Sequence, residues 1–158
     1  MSGCVLLRLD QQLAIDETRL IRAAHIVLEQ HDKAGCLSIV IQDSVAVAAL
    51  NRQHRSLDSP TDVLAFPAAS LPKEIAAESH YLGDIVIALD YVAARAGSSG
   101  TDLADTLCLL IAHATLHLLG YAHKTKTERA SMWAAQARAL RKLGIDDSLV
   151  TQYGGGDA

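Results

Sequence analysis

The apolar stretch from residue 103 to residue 119 constrains the fold more than any other part of the chain. Asp102, or the threonine before it, can cap the start of a helix here, and Gly120 can end that helix in the left-handed conformation. Apolar side chains occur on every side of this predicted helix, so it must be buried all round. It is too polar to span a bilayer because it carries three ionisable side chains, those of Asp105, His113 and His117. The sequence therefore predicts a central core helix of a globular domain.

The rest of the chain alternates short β-branched runs with amphipathic segments. Strands are predicted at residues 4–10, 36–42, 62–66 and 83–89, and further helices at residues 17–31, 44–54, 90–96 and 126–143. Asp16 and Asp43 supply N-caps, the capping box Thr125-x-x-Glu128 starts the last helix, and GSSG at residues 97–100 is a breaker. This pattern predicts an α+β or α/β domain with about four strands over residues 1–150, and a disordered tail at residues 151–158.

The composition is that of one globular domain, because half of the 158 residues are hydrophobic and 20% are charged. The formal net charge of −4 argues against an indiscriminate nucleic-acid binder. Any contact with RNA therefore requires a local basic patch, for which Arg8, Arg52 and Arg55 are the candidates. The alternative, that these arginines are scattered surface charges, stays open.

The cysteines and the N-terminus indicate a reducing compartment. Cys4, Cys36 and Cys108 are odd in number and far apart in the sequence, and no CxxC pair occurs. This argues against a disulfide framework or a cysteine zinc site. The N-terminus lacks the long apolar run of a signal peptide, so we expect a cytoplasmic protein that does not associate with membranes.

Three histidines follow the spacing H-x3-H-x5-H at the end of the core helix. His113 and His117 lie on one helix face, and Gly120 lets the chain reverse so that His123 returns toward them. Two imidazoles on an apolar helix need partners, since burying a polar group without one costs roughly 2–7 kcal/mol. Ordinary core histidines are the alternative. A shared divalent metal, with zinc expected, satisfies both rings, and three nitrogen ligands leave a tetrahedral ion one open position for hydrolysis.

This spacing is also that of the metzincin peptidase motif HExxHxxGxxH. In those peptidases the glutamate after the first histidine is the general base. Ala114 stands at that position here and cannot accept a proton. The predicted geometry is therefore zincin-like, while peptidase chemistry lacks its base.

Three segments carry a resemblance to a known family. HATLHLLGYAH at residues 113–123 resembles the HGxLHLxGYDH signature of the YbeY family of bacterial endoribonucleases. NRQHRSLDSPTDVLAFP at residues 51–67 is similar to that family's N-x-x-x-R-x-x-D-x-P-T-N-V-L-S-F-P, and LGDIVIAL at residues 82–89 is similar to its L-G-D-I-V-I strand. Three blocks in the same order are far more specific than an HxxxH pair alone.

The resemblance implies a metal-dependent endoribonuclease that is specific for single-stranded RNA. It implies a role in rRNA maturation at the 3′ end of 16S rRNA and in ribosome quality control, so that rRNA and the ribosome are the expected partners and no nucleotide cofactor is needed. The family's metal ligands correspond to His113, His117 and His123, with one Zn²⁺ expected and other divalent metals possible. Its functional arginine corresponds to Arg55, and Arg55 and His117 are the expected catalytic residues.

The fold that the resemblance implies is an α+β domain. Its four-stranded mixed sheet is mostly parallel with one antiparallel strand, and about five helices pack with it around a zincin-like metal helix. Residues 1–150 would form this single catalytic domain.

The chain departs from the family pattern at four positions. Ala114 replaces glycine, Ala122 an aspartate, Asp62 an asparagine and Ala65 a serine. None of them is a metal ligand. Loss of the carboxylate beside His123 and of the serine hydroxyl would weaken the support of the ligands.

Two other classes of protein remain open. One is a ribosome-associated assembly factor whose metal is mainly structural, which a fourth protein ligand would favour. The other is a metallopeptidase or other metal-dependent hydrolase, which a nearby carboxylate would favour. The general base is not evident, and its candidates are His54, His80 and Asp84. His25 and His31 fall on a helix away from the motif and are expected to be structural or surface residues.

Overall fold

The computed structural model describes residues 3–9, 14–55, 61–68 and 80–153, without the side chains of residues 54 and 55. The strands are β1 (Gly3–Leu9), β2 (Gly35–Gln42), β3 (Val63–Pro67) and β4 (Tyr81–Ala88). The described helices are α1 (Glu17–Gln30), α2 (Ser44–Arg55), α3 (Leu89–Ser99), α4 (Leu103–Leu118), α5 (Lys126–Leu143) and α6 (Leu149–Gln152).

The four strands form one mixed sheet in the order β1-β2-β4-β3. β1, β2 and β4 are parallel, and β3 runs antiparallel to β4 at the edge of the sheet. The α+β class and the mostly parallel mixed sheet are thereby confirmed. The helices that the structure describes include one more than the expected five, because the C-terminal segment forms the short helix α6.

The main core lies between one face of the sheet and helices α1 and α4. Alternate residues of β2 and β4 point into it, and α4 is buried from Thr106 to Leu116. The largest fully buried side chains that the sheet contributes to this core are Leu37, Ile39, Ile41, Ile85 and Ile87. Each such side chain contributes about 1.5–3 kcal/mol of transfer free energy. The prediction of a helix buried all round is confirmed for α4.

The other face of the sheet is only partly covered. Helix α2 packs there through Val47, against Val86 of β4 and Leu64 of β3. At the far edge, Leu6 of β1 is 63% exposed. We call this second side the α2 face of the sheet.

Local capping signals mostly act as the sequence predicts. Asp16, Asp43 and Asp102 accept backbone N–H groups at helix starts, and the capping box at Thr125 is complete. The GSSG breaker at residues 97–100 is wrong in position, since α3 continues to Ser99. Only Gly100 takes a positive φ, of 72°, and this residue ends the helix.

The prediction of a disordered tail at residues 151–158 is wrong for residues 151–153. Thr151 and Gln152 belong to α6. Tyr153 is buried in the main core, and its hydroxyl donates to Asp62 Oδ2 over 3.2 Å. Residues 154–158 lie outside the described residues, and the domain extent of 1–150 stays a prediction. No helix in the described part of the chain is long and apolar enough to cross a membrane.

Candidate metal centre

The last turns of α4 and the segment after it bring three histidines together. His113 and His117 lie one turn apart on the same helix face, as their spacing predicts. Gly120, at a φ of 105°, reverses the chain and returns His123 toward them. His113 is only 3% exposed, while His117 and His123 are half-buried. The cluster therefore spans from the core to the surface.

The three rings converge on one point. Each ring offers a nitrogen that lies within 4.8 Å of those of the other two. The Nε2 atoms of His113 and His117 are 3.1 Å apart. The ring centroid of His123 is 4.9 Å from that of His117 and 5.5 Å from that of His113. Among the residues that the structure describes, this is the one group of three or more potential ligands close enough to share an ion.

Hydrogen bonds on the far side of two rings define which nitrogen is available to a metal. His113 Nδ1 donates to Oε1 of Gln136 over 2.6 Å, and His117 Nδ1 donates to the backbone oxygen of Tyr121 over 2.9 Å. A carbonyl oxygen can only accept, so both Nδ1 atoms carry the proton. Both Nε2 lone pairs then point into the cluster, which is the usual support of metal-binding histidines.

The distances fit a divalent metal. Two nitrogens that are each about 2.0–2.1 Å from a tetrahedral zinc ion lie about 3.3 Å apart. The 3.1 Å between the Nε2 atoms of His113 and His117 is close to that value. With their protons on Nδ1, the two neutral rings direct their Nε2 lone pairs at each other. A cation between these nitrogens would stabilise this arrangement. The triad can therefore hold a metal.

A cleft of about 220 Å³ opens beside His113 and His117. Its other wall is β3, the antiparallel edge strand, which contributes Val63, Leu64, Ala65 and Pro67. Ala114 also lines the cleft, at the position where metzincin peptidases carry their glutamate. No carboxylate occurs among the described residues that line the cleft, so the base that a peptidase needs is not replaced there.

None of the predicted arginines and general bases whose side chains the structure describes lines this cleft. Arg55 and His54 end α2, and their side chains lie outside the described residues. Arg52 is exposed on the same helix. Arg8 projects from β1 on the α2 face, opposite the face that packs against α4.

The two remaining candidate bases lie elsewhere. Asp84 is also on the α2 face, where its carboxylate accepts hydrogen bonds from Ser38 and Tyr81. Because the sheet separates it from α4, Asp84 does not face the three histidines. His80 is exposed just before β4, at a positive φ of 50°.

Two supporting residues were missed by the sequence analysis. Gln136 lies on the buried face of α5. Its position as a polar residue among the apolar residues of that face could have indicated a buried hydrogen bond. His31, expected to lie away from the motif, accepts at Nε2 from the hydroxyl of Tyr121 over 3.0 Å, because its Nδ1 donates to the backbone oxygen of Val27. His31 thus holds the segment that carries His123, and no local pattern indicates this contact.

Comparison with known proteins identifies the family. The family model described as "Endoribonuclease YbeY" matches residues 8–144. The chain belongs to the YbeY endoribonuclease family. Membership confirms the resemblance seen in the sequence and the enzyme class that it implied, and an endoribonuclease implies an RNA substrate.

Relatives in the YbeY family cover most of the chain. An endoribonuclease YbeY from Paramagnetospirillum magneticum is 44% identical over 138 residues, which is 83% of each chain. One from Azorhizobium caulinodans is 40% identical over 111 residues, or 70% of this chain and 69% of the relative. The solution structure of TM1509 from Thermotoga maritima covers 88% of each chain at a TM-score of 0.62 and 20% identity, which supports the fold alone.

The four departures from the YbeY signature either line the cleft or are next in sequence to a residue of the site. Ala65 and Ala114 line the cleft. Ala122 directly precedes His123 in the returning segment. Asp62 is buried just before β3, where its Oδ2 atom lies 3.6 Å from a guanidinium nitrogen of Arg95. A charged pair therefore occupies the position at which the family carries a neutral amide.

Proposed function

We propose that this chain is a metal-dependent endoribonuclease that cleaves single-stranded RNA. Its role would be maturation of the 3′ end of 16S rRNA and ribosome quality control on cytoplasmic ribosomes. The observation that carries the proposal is the convergence of His113, His117 and His123 beside an open cleft, in a chain of the YbeY family. The relatives named above carry the endoribonuclease name, which supports the same reaction class.

Zinc is the metal that we propose for this centre, with His113, His117 and His123 as its ligands. The chemistry that a bound divalent ion supplies is Lewis acidity toward a phosphodiester oxygen. No fourth histidine, cysteine or carboxylate joins the triad in the described parts of the chain, which leaves a tetrahedral ion one position for substrate. This observation favours a catalytic metal over the structural metal of an assembly factor.

In this proposal His117 is a catalytic residue that holds the metal at the side of the centre that faces the substrate. Its ring lines the cleft, and the hydrogen bond to Tyr121 O keeps Nε2 directed at the other two histidines. Arg55 would bind the scissile phosphate through its planar, paired donors and offset the charge that develops during cleavage. In support, Arg55 ends α2, the helix that precedes the cleft strand β3 in the chain.

Arg52 and Arg8 extend the proposed RNA-binding surface away from the metal. Arg52 is three residues before Arg55 on α2, so the two share one side of that helix. Arg8 lines a groove on the α2 face to which Leu50 of the same helix also contributes. RNA that passes from the cleft over α2 would contact Arg52 first and Arg8 next.

Metal analysis combined with an RNA cleavage assay tests the proposal. Purified protein should contain about one zinc per chain, and His113→Ala, His117→Ala and His123→Ala should each lose it together with cleavage of single-stranded RNA. Arg55→Ala should retain the metal and lose cleavage. Chelation should abolish activity, and added zinc should restore it. A folded wild-type protein without metal would overturn the metal centre.

His25→Ala is the matched control, because His25 lies on α1 beside Gly3 of β1 and not beside the triad. It should retain both metal and activity. Equal RNA cleavage by wild type, His117→Ala and Arg55→Ala would reveal a contaminating ribonuclease. Cleavage of peptides without cleavage of RNA would instead establish the metallopeptidase alternative.

A further inference from the structure

Two cysteines that are far apart in the sequence are neighbours in the sheet. Cys4 of β1 and Cys36 of β2 are register partners in the parallel pairing of these strands. Both belong to the set of alternate residues that points away from the main core, as Leu6 and Ser38 do. Cys4 is exposed and Cys36 is half-buried. The two thiols therefore project from the same sheet face, side by side, within reach of solvent.

The pKa of the Cys36 thiol also indicates that the two thiols are close. The neighbouring Cys4 side chain is the largest cause that raises this pKa, and burial is the second. Adjacent strands lie about 4.8 Å apart, within the roughly 4.4–6.8 Å that separates the Cα atoms of disulfide partners. Pairing therefore requires no large movement of the backbone.

Cys108 differs from this pair in its burial and in having no neighbouring cysteine in the strand pairing. It is fully buried in the core of α4, where burial raises the pKa of its thiol to about 11. A thiol with so high a pKa supplies almost no thiolate near neutral pH, and thiolate is the reactive form. Cys108 is thus an internal reference for an unreactive cysteine in the same chain.

We propose that Cys4 and Cys36 form a redox-active dithiol that closes to an intramolecular disulfide when it meets a low-molecular-weight disulfide. The exposed Cys4 thiolate attacks one sulfur of that disulfide, and one small thiolate leaves. Cys36 then loses its proton to water and attacks Cys4 Sγ in the mixed disulfide, which releases the second small thiol. The net reaction oxidises two protein thiols and reduces one small disulfide to two thiols.

The bond would fasten the edge strand to the sheet. Among the described strands, β1 pairs with β2 alone, so its attachment within this sheet depends on one ladder of hydrogen bonds. A link from Cys4 to Cys36 closes a loop that contains all of α1, and loop closure reduces the entropy of the unfolded chain. The dithiol lies on the α2 face, whereas α4 with its histidines packs on the other face. Oxidation is therefore expected to stabilise the fold without changing the metal ligands.

Thiol trapping with mass spectrometry tests the proposal. Full-length protein is incubated with glutathione disulfide at neutral pH, quenched with iodoacetamide and digested. The expected product has lost two hydrogens per chain and yields a linked peptide pair containing Cys4 and Cys36, with Cys108 alkylated only after unfolding. Its melting temperature should rise by several degrees and return on reduction.

Single variants identify the order of the steps. Cys36→Ser should stop at a glutathione adduct on Cys4, because the resolving thiol is absent. Cys4→Ser should react far more slowly at Cys36, which is half-buried and has a raised pKa. A stable glutathione adduct on Cys4 of the wild type, or links only between different chains, would overturn the proposal.

Discussion

Gln136 and His113 are 23 residues apart in the chain, yet the Gln136 amide oxygen lies 2.6 Å from His113 Nδ1. Both residues are 3% exposed, so this hydrogen bond is shielded from water. It connects α5 to α4 at the most buried histidine of the triad. The bond defines the ring's tautomer and its orientation.

We expect Gln136→Leu to weaken metal binding by about 10–100-fold, the usual effect of losing a second partner of a ligating histidine. His113 would keep its place on α4 but lose the acceptor that directs Nε2. Zinc affinity is measured by competition with a chromogenic chelator. Gln136→Glu retains an acceptor and should bind zinc well. Met132→Leu, on the same buried face of α5, should bind zinc as tightly as wild type. A similar loss of zinc affinity in that variant would mean that altered core packing, and not the lost hydrogen bond, weakens binding.

The C-terminal Tyr153 stabilises the start of the cleft strand. Its hydroxyl donates to the buried Asp62 carboxylate over 3.2 Å, and Arg95 lies 4.7 Å above its ring. Tyr153→Phe should lower the free energy of unfolding by about 1.5 kcal/mol, the lower value for a hydrogen bond to a charged group. Urea denaturation measures this loss. In the background of Asp62→Asn, which removes the charge, the same substitution should cost less, and equal costs would contradict the contact.

Gly83 permits the close approach of β3 and α4 to β4. A Cβ atom there would lie 2.3 Å from the backbone oxygen of Phe66 and 2.8 Å from Leu118 Cδ2, at a φ of 146°. Gly83→Ala should cost about 3 kcal/mol through overpacking and backbone strain. Because Leu118 follows His117, zinc content should fall as well. Gly97→Ala is the matched control: open space surrounds that site in α3, and the variant should be stabilised by about 0.5 kcal/mol. Thermal denaturation of both variants checks the contrast.

Asp90 connects the start of α3 to the start of α2. The Ser44 hydroxyl and backbone N–H each donate to it over 2.6 Å, and these bonds lower the pKa of the Asp90 carboxyl. A folded-state pKa below the unfolded value of about 3.9 gives a contribution that is present above that pH and is lost as the pH falls through the folded pKa. The destabilisation caused by Asp90→Asn should therefore be larger at neutral pH than at about pH 3. Urea unfolding of wild type, Asp90→Asn, Ser44→Ala and the double variant isolates the coupling, which should be smaller in acid.

Features that depend on nearby residues could be predicted from the amino-acid sequence. Helix α4, its cap at Asp102, the shared face of His113 and His117 and the reversal at Gly120 all follow from periodicity and spacing. Three short motifs were also sufficient to indicate the family. These signals are local, because hydrogen-bonding pattern and side-chain direction in a helix or strand repeat within a few residues.

Contacts between distant segments could not be predicted in this way and are known from the tertiary structure alone. It paired Gln136 with His113, His31 with Tyr121, Cys4 with Cys36 and Tyr153 with Asp62. It also separated Arg8 and Asp84 from the metal helix by placing them on the opposite face of the sheet. The physical reason is that these neighbours depend on strand order, register and helix docking, which result from packing the whole core and have no counterpart in local spacing.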